Sequence, residues 1–113
     1  MSLENEICEP CSLNAVKLTE DEISELHSEL NEWDVLYDLN DVPRLSKKYK
    51  FKNFKKAIEF TNKVGDHAEA IGHHPLIITE WGKVTVQWWS HELKGLHRSD
   101  FVMAAKTDKI YEE

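Results

Sequence analysis

Between Glu69 and His91 the chain reads EAIGHHPLIITEWGKVTVQWWSH, and its period changes once, abruptly, at the histidine pair. Upstream, Phe54, Ala57, Ile58, Thr61, Val64, Ala68 and Ile71 recur at helical spacing through about five turns, with Asn53 placed to cap the first. Gly72 can take the left-handed conformation that ends helices, and Pro75 has no N–H with which to continue one. Downstream, Leu76–Thr79 and Val84–Ser90 are apolar, β-branched runs on either side of Gly82, the pattern of a hairpin. Val84, Val86 and Trp88 share one face. Thr85, Gln87, Trp89 and, if the alternation persists, His91 share the other. Glu69, His73, His74 and His91 are therefore expected to converge where the helix ends and the hairpin closes.

The flanking segments supply the rest of a domain. Thr19 and Glu22 form a capping-box pair, and Ile23, Leu26 and Leu30 follow at helical spacing, which predicts a helix over Thr19–Asn31. Trp33, Val35, Tyr37 and Leu39 alternate with Asp34, Leu36 and Asp38 and predict a strand. A turn at Asn40-Asp41 with Pro43 leads to a second strand through Leu45, Lys47, Tyr49 and Phe51. Phe60 falls off the stripe of the long helix and is a candidate subunit contact. Ser99 is placed to cap a last helix, Asp100–Lys109, with Phe101, Ala104 and Ala105 inward. The order α-β-β-α-β-β-α with short hairpin links predicts a single two-layer α+β domain, a four-stranded antiparallel sheet with three helices on one face. Residues 19–113 form that domain, and residues 1–18 are expected to be an N-terminal tail.

Charge and cysteine content narrow the classes of function. The 113 residues carry a net charge of −7, distributed as −11 over residues 1–43, +7 over residues 44–63 and −3 thereafter. The block LSKKYKFKNFKK interleaves aromatics with lysines, as polyanion-binding surfaces do. The overall negative charge opposes nucleic-acid binding, so the block is expected to be a solvated strand edge and first helical turn. No apolar run is long enough to span a membrane and the acidic N-terminus resembles no secretory signal, which makes the cytoplasm the expected location. Cys8 and Cys11 form a lone C-x-x-C with no second pair, too little for a zinc ribbon, and are expected to be two reduced thiols in the tail.

On the residues alone the histidine cluster admits three readings. Imidazole titrates near pH ~6.5 and both gives and takes protons at neutral pH, which suits acid–base catalysis. Zinc held by His73, His74 and His91 is a second reading, although neighbouring residues on an extended chain point opposite ways. A structural role is the third. Ser90 beside His91 is adjacency rather than a nucleophilic triad, and no glycine-rich phosphate loop is present. His27, His67 and His97 read as solvated residues.

The spacing Glu69-x3-His73-His74-Pro75-x5-Trp81-x9-His91-x8-Asp100 resembles the signature of the pterin-4a-carbinolamine dehydratases. Upstream, Trp33 and the Phe51-Lys52-Asn53-Phe54 helix opening are similar to that family too, so the likeness covers residues 19–110. It implies dehydration of 4a-hydroxytetrahydrobiopterin to the quinonoid dihydropterin, recycling the cofactor of aromatic amino-acid hydroxylases, with no metal and no cofactor. It implies that His73 and His91 act as general acids and that His74 positions the pterin. Glu69, Gly72, Trp89, Ser90 and Glu92 would meet the substrate, and Pro75, Trp81 and Asp100 would hold the loops. Substitution of His73 or His91 by alanine is then expected to lower turnover and leave the fold intact. It also implies a homodimer or homotetramer. The alternative it carries is a non-catalytic dimerisation or assembly cofactor for a protein partner.

Overall fold

Each helix begins where a side chain can take up backbone N–H groups that have no partner within the helix. The computed structural model describes Leu3, residues 17–30 and residues 32–112. Its elements are α1 (Glu20–His27), β1 (Asp34–Tyr37), β2 (Pro43–Lys50), α2 (Phe54–Ile71), β3 (Leu76–Glu80), β4 (Lys83–Trp88) and α3 (Arg98–Glu112). At α1 the expected box is formed: Glu22 N–H donates to Thr19 Oγ1 at 3.2 Å and Thr19 N–H to Glu22 Oε1 at 2.9 Å. At α2, Lys56 N–H donates to Asn53 Oδ1 at 2.8 Å, and Gly72 ends the helix at φ 82°, in the left-handed region.

Three helix boundaries differ from the sequence expectation. The first helix stops at His27, where Glu29 and Leu30 close tighter turns onto Leu26 and His27. The His27 ring reaches forward to the carbonyl of Trp33, fixing the bend into β1; Asn31 lies outside the described residues. The last helix starts at Arg98, and its cap is His97 rather than Ser99. His97 Nδ1 accepts the Ser99 N–H at 3.1 Å, while Asp100 Oδ2 accepts the His97 N–H at 2.9 Å, a capping box with an imidazole in the hydroxyl's place. The helix also runs past Lys109 to Glu112, because Tyr111 packs into an aromatic cluster 4.8 Å from Tyr49, 5.4 Å from Phe51 and 5.8 Å from Phe60.

That cluster corrects the reading of Phe60. It is 4% exposed and sits between β2 and α3, not at a subunit contact. Ala57, Phe60, Val64 and Ala68 form the buried stripe of α2, whereas Phe54 and Ile58 are exposed.

The strands pair antiparallel in the order β1-β2-β4-β3. The register sets Leu45 opposite Trp88 and Tyr49 opposite Val84, so Leu45, Tyr49, Val84, Val86 and Trp88 line one buried face. Helices α2 and α3 pack on the sheet and α1 packs on α3. Strand β1 covers only Pro43–Ser46 of β2, and Lys47–Lys50 run on beyond its reach. Before α1, Leu18 N–H bonds the Leu96 carbonyl at 2.8 Å and Leu3 is buried with the core; Cys8 and Cys11 lie outside the described residues. No helix among the described residues is long and apolar enough to cross a membrane.

A second polar knot ties α3 to the sheet. The Asp108 carboxylate accepts from Tyr49 Oη at 2.6 Å, Lys47 Nζ at 2.8 Å and Trp33 Nε1 at 3.1 Å. Burial, and then donation to Asp108, pushes the Tyr49 phenol far above its ordinary value. Because the native state holds this proton more tightly than the unfolded chain, its contribution to stability is complete below pH ~10 and is lost as pH rises beyond that. In a spectrophotometric alkaline titration, Tyr49 is expected to ionise only on unfolding. Ionisation of Tyr49 before any loss of helical signal would refute this.

Candidate active site

Gly72 decides how the site begins. Its left-handed backbone turns the chain out of α2, and the next two residues then point opposite ways. His73 turns inward, is 5% exposed, and stacks on Trp88 with ring centroids 5.6 Å apart at 16°. Its Nε2 lies 2.6 Å from Asp100 Oδ1. Asp100 is fully buried, and its other oxygen accepts from Ser90 Oγ at 2.8 Å and the His97 N–H. His74 turns outward, its side chain 59% exposed, with Nε2 3.1 Å from Glu69 Oε2 on the last turn of α2.

The third histidine arrives from the far end of the hairpin. Strand β4 ends at Trp88, two residues short of the sequence expectation, and Ser90 then bridges to Gly95 around a tight turn. His91 sits in that turn, exposed, with Nε2 3.2 Å from the His74 carbonyl. Its ring rests on Trp89, centroids 4.3 Å apart, and the Arg44 guanidinium lies 3.8 Å from the same indole. The structure thus joins Glu69, Gly72, His73, His74, Trp89, Ser90, His91 and Asp100 in one connected cluster, with Pro75 leading from it into β3.

One regularity follows from the partners. Asp100, Glu69 and the His74 carbonyl are all oxygen acceptors, so each of the three imidazoles carries a proton on Nε2. Among the described residues no hydrogen bond is made by Nδ1 of His73, His74 or His91, and that is the nitrogen each has left for exchange. Ser90 donates to Asp100 rather than to a histidine, so Ser90 is not an activated nucleophile. No three His, Cys, Asp or Glu side chains among the described residues converge to hold a metal ion.

Several positions differ from what the sequence suggested. Trp81 is 73% exposed in the β3–β4 turn, separated from Trp89 by the length of β4, roughly 17 Å. It neither walls the cluster nor supports its loops. Ser90 is fully buried at Asp100, so its side chain faces no solvent. His73 is buried, so truncating it would touch the fold as well as the chemistry. The histidines read as solvated have local work: His27 and His97 as described above, and His67 half-buried, its imidazole pushed below its usual value by burial and then by the charge of Lys106. Arg44 was missed altogether. Its only sequence cue is its register, one step beyond the Leu45–Trp88 pair and hence opposite Trp89.

Fold and cluster together define a class: single α+β domains in which a His-His-Pro loop meets the end of an antiparallel hairpin. The chain belongs to the pterin 4 alpha carbinolamine dehydratase family, whose model matches residues 16–110. It is 52% identical over 91% of its length, and 90% of the relative's, to a protein of Nitrosococcus oceani provisionally named pterin-4-alpha-carbinolamine dehydratase. A similarly named protein of Syntrophotalea carbinolica is 51% identical over 97% of both chains. A crystal structure of a transcriptional coactivator/pterin dehydratase from Brucella melitensis aligns with a TM-score of 0.74 at 28% identity, covering 84% of this chain and 98% of that one. A pterin dehydratase-like protein described as a RuBisCO assembly factor in the α-carboxysome shares the fold, with a TM-score of 0.60 at 20% identity over 72% of this chain and 90% of that one.

Proposed function

We propose that the chain dehydrates 4a-hydroxytetrahydrobiopterin to the quinonoid dihydropterin by histidine acid–base catalysis, regenerating the cofactor of aromatic amino-acid hydroxylases in the cytoplasm. The observation that carries this reading is the shared geometry of the three imidazoles, each tethered through Nε2 and each with Nδ1 uncommitted. In the reaction the N5 lone pair forms the C4a=N5 bond as the C4a–O bond breaks. The oxygen leaves as water with a proton that the histidine, as imidazolium, carries on Nδ1, and the proton released from N5 restores the imidazolium. No electrons are exchanged, so the chemistry asks for proton transfer and positioning only.

His91 and His73 are the proton donors in this scheme, His91 at the surface and His73 held from behind by Asp100. His74 and Glu69 seat the pterin at the outer rim, with Trp89 and Glu92 beside His91. The test is the decay of 4a-hydroxypterin with purified protein. Acceleration over buffer that survives chelator is the expected result. No acceleration, or loss of activity on chelation alone, refutes it.

The alternative is a partner-binding role, and one observation favours it. Phe54 and Ile58 on α2, and Leu76 and Ile78 on β3, are exposed apolar side chains, 37–48% accessible. They suit self-association into a homodimer or homotetramer, or docking of a protein partner. A chain that binds such a partner and leaves carbinolamine decay unchanged fits this second role.

A further inference from the structure

We propose that Arg44 is a positioning residue for His91, acting through Trp89; the inference rests on the reading of His91 as a proton donor of the site. Arg44 lies on the sheet face away from the helices, between Leu36 of β1 and the end of β4. Its guanidinium is anchored at two points. Nη2 donates to Asp38 Oδ2 at 3.0 Å and Nη1 to Gln87 Oε1 at 3.1 Å. Gln87 is held in turn by Ser46, through Nε2 to Oγ at 3.2 Å. With both ends fixed, the planar group is laid over the Trp89 indole, 3.8 Å from its centroid, and the His91 imidazole rests against that same indole.

The anchoring is more than a surface ion pair. Asp38 also accepts the N–H groups of Asn40 at 2.7 Å and Val42 at 3.0 Å, so its carboxylate is fixed in the β1–β2 turn before Arg44 reaches it. The Val42 N–H above all, then the Asn40 N–H and Arg44, hold the Asp38 carboxyl below its usual range. Arg44 Nε is buried with no hydrogen-bond partner among the described residues. A buried donor left without a partner is costly, so the placement over the ring is set by the other two nitrogens. A guanidinium on an indole face is a favourable contact that an ammonium cannot reproduce in shape.

The consequence concerns what Trp89 does. The part of its ring that Arg44 covers cannot also stack on a flat substrate, and the indole instead seats His91. The exposed proton donor thus takes its orientation from the β1–β2 turn, through Asp38, Arg44 and Trp89. The one hydrogen bond its ring makes among the described residues, to the His74 carbonyl, leaves the ring free to swing about one contact without that seat.

The test uses the full chain and the variants Arg44→Ala and Arg44→Lys. In proton–carbon correlation spectra of the histidine rings, His91 in the wild type is expected to show the upfield ring-current shift of an imidazole resting on an indole. In both variants that shift should collapse toward free-histidine values, while the His73 ring, seated on Trp88, stays in place. Turnover of the 4a-hydroxypterin should fall about tenfold with KM changed less than about twofold, the signature of a misplaced reacting group. Arg44→Lys should recover little, since charge alone does not make the stack. An unshifted His91 ring in both variants overturns the proposal, as does a kcat equal to wild type. If the wild type itself fails to accelerate dehydration, the proposed activity falls, and the ring shifts still decide whether Arg44 holds His91.

Discussion

His91→Ala is expected to lower the dehydration rate by about 10²–10⁴ while the protein keeps its melting temperature, because general acid help is worth that much and the side chain supports nothing else. The imidazole is exposed, and its contacts are one carbonyl and the Trp89 ring. Surface truncations of this kind change stability by about 0.5 kcal/mol or less. The effect should fall on kcat more than on KM, since a proton donor works in the transition state. Stopped-flow decay of the carbinolamine together with a thermal melt checks both halves. A fully active variant would remove His91 from the scheme.

Asp100→Ala produces the larger structural effect. The carboxylate is fully buried and takes three donors: His73 Nε2, Ser90 Oγ and the His97 N–H. Removing it strands all three and dissolves half of the α3 cap. Breaking a buried, hydrogen-bonded ionic site costs about 3–5 kcal/mol, against a total of about 5–15 for a typical domain. The melting temperature should fall by more than about 10 °C. Asp100→Asn keeps an acceptor for two of the three donors and should lie between. A melt within about 2 °C of wild type would show that Asp100 is dispensable to the fold. His73→Ala should lose activity and stability together, because it leaves this same carboxylate short of a partner at a buried position.

Local signals in the chain carried most of the architecture. Thr19 with Glu22, Asn53 and Gly72 marked helix ends within a few residues, and the alternation of Val84, Val86 and Trp88 placed the buried sheet face. Several of the misreadings trace to contacts between residues far apart in the chain. Phe60 is core because Tyr49, Phe51 and Tyr111 arrive from other elements and widen the buried stripe of α2. His97 caps α3 because Asp100, already committed to His73 at a separation of 27 residues, also accepts the His97 N–H. At the site, the histidines were legible from type and spacing. What each one touches was not, because pairing of β2 with β4 brings Arg44 to Trp89, and neither residue's neighbours in the chain indicate it.

The shortness of β1 gives the two rims of the sheet different characters. Beyond Ser46 no strand among the described residues lies on the outer side of β2, which is the arrangement that invites another chain to add on in register. Here that stretch is Lys47–Lys50, with a lysine at three of its four positions, and the Lys50 carbonyl is already taken by the Tyr111 hydroxyl at 2.8 Å. Lys47 is held by Asp108, whereas Lys48 and Lys50 are exposed, and their like charges would meet wherever two such margins approached. The opposite rim, β3, has Leu76 and Ile78 exposed and no lysine. The two margins of the sheet thus differ in the charge that would oppose another strand: β2 carries lysines and β3 none.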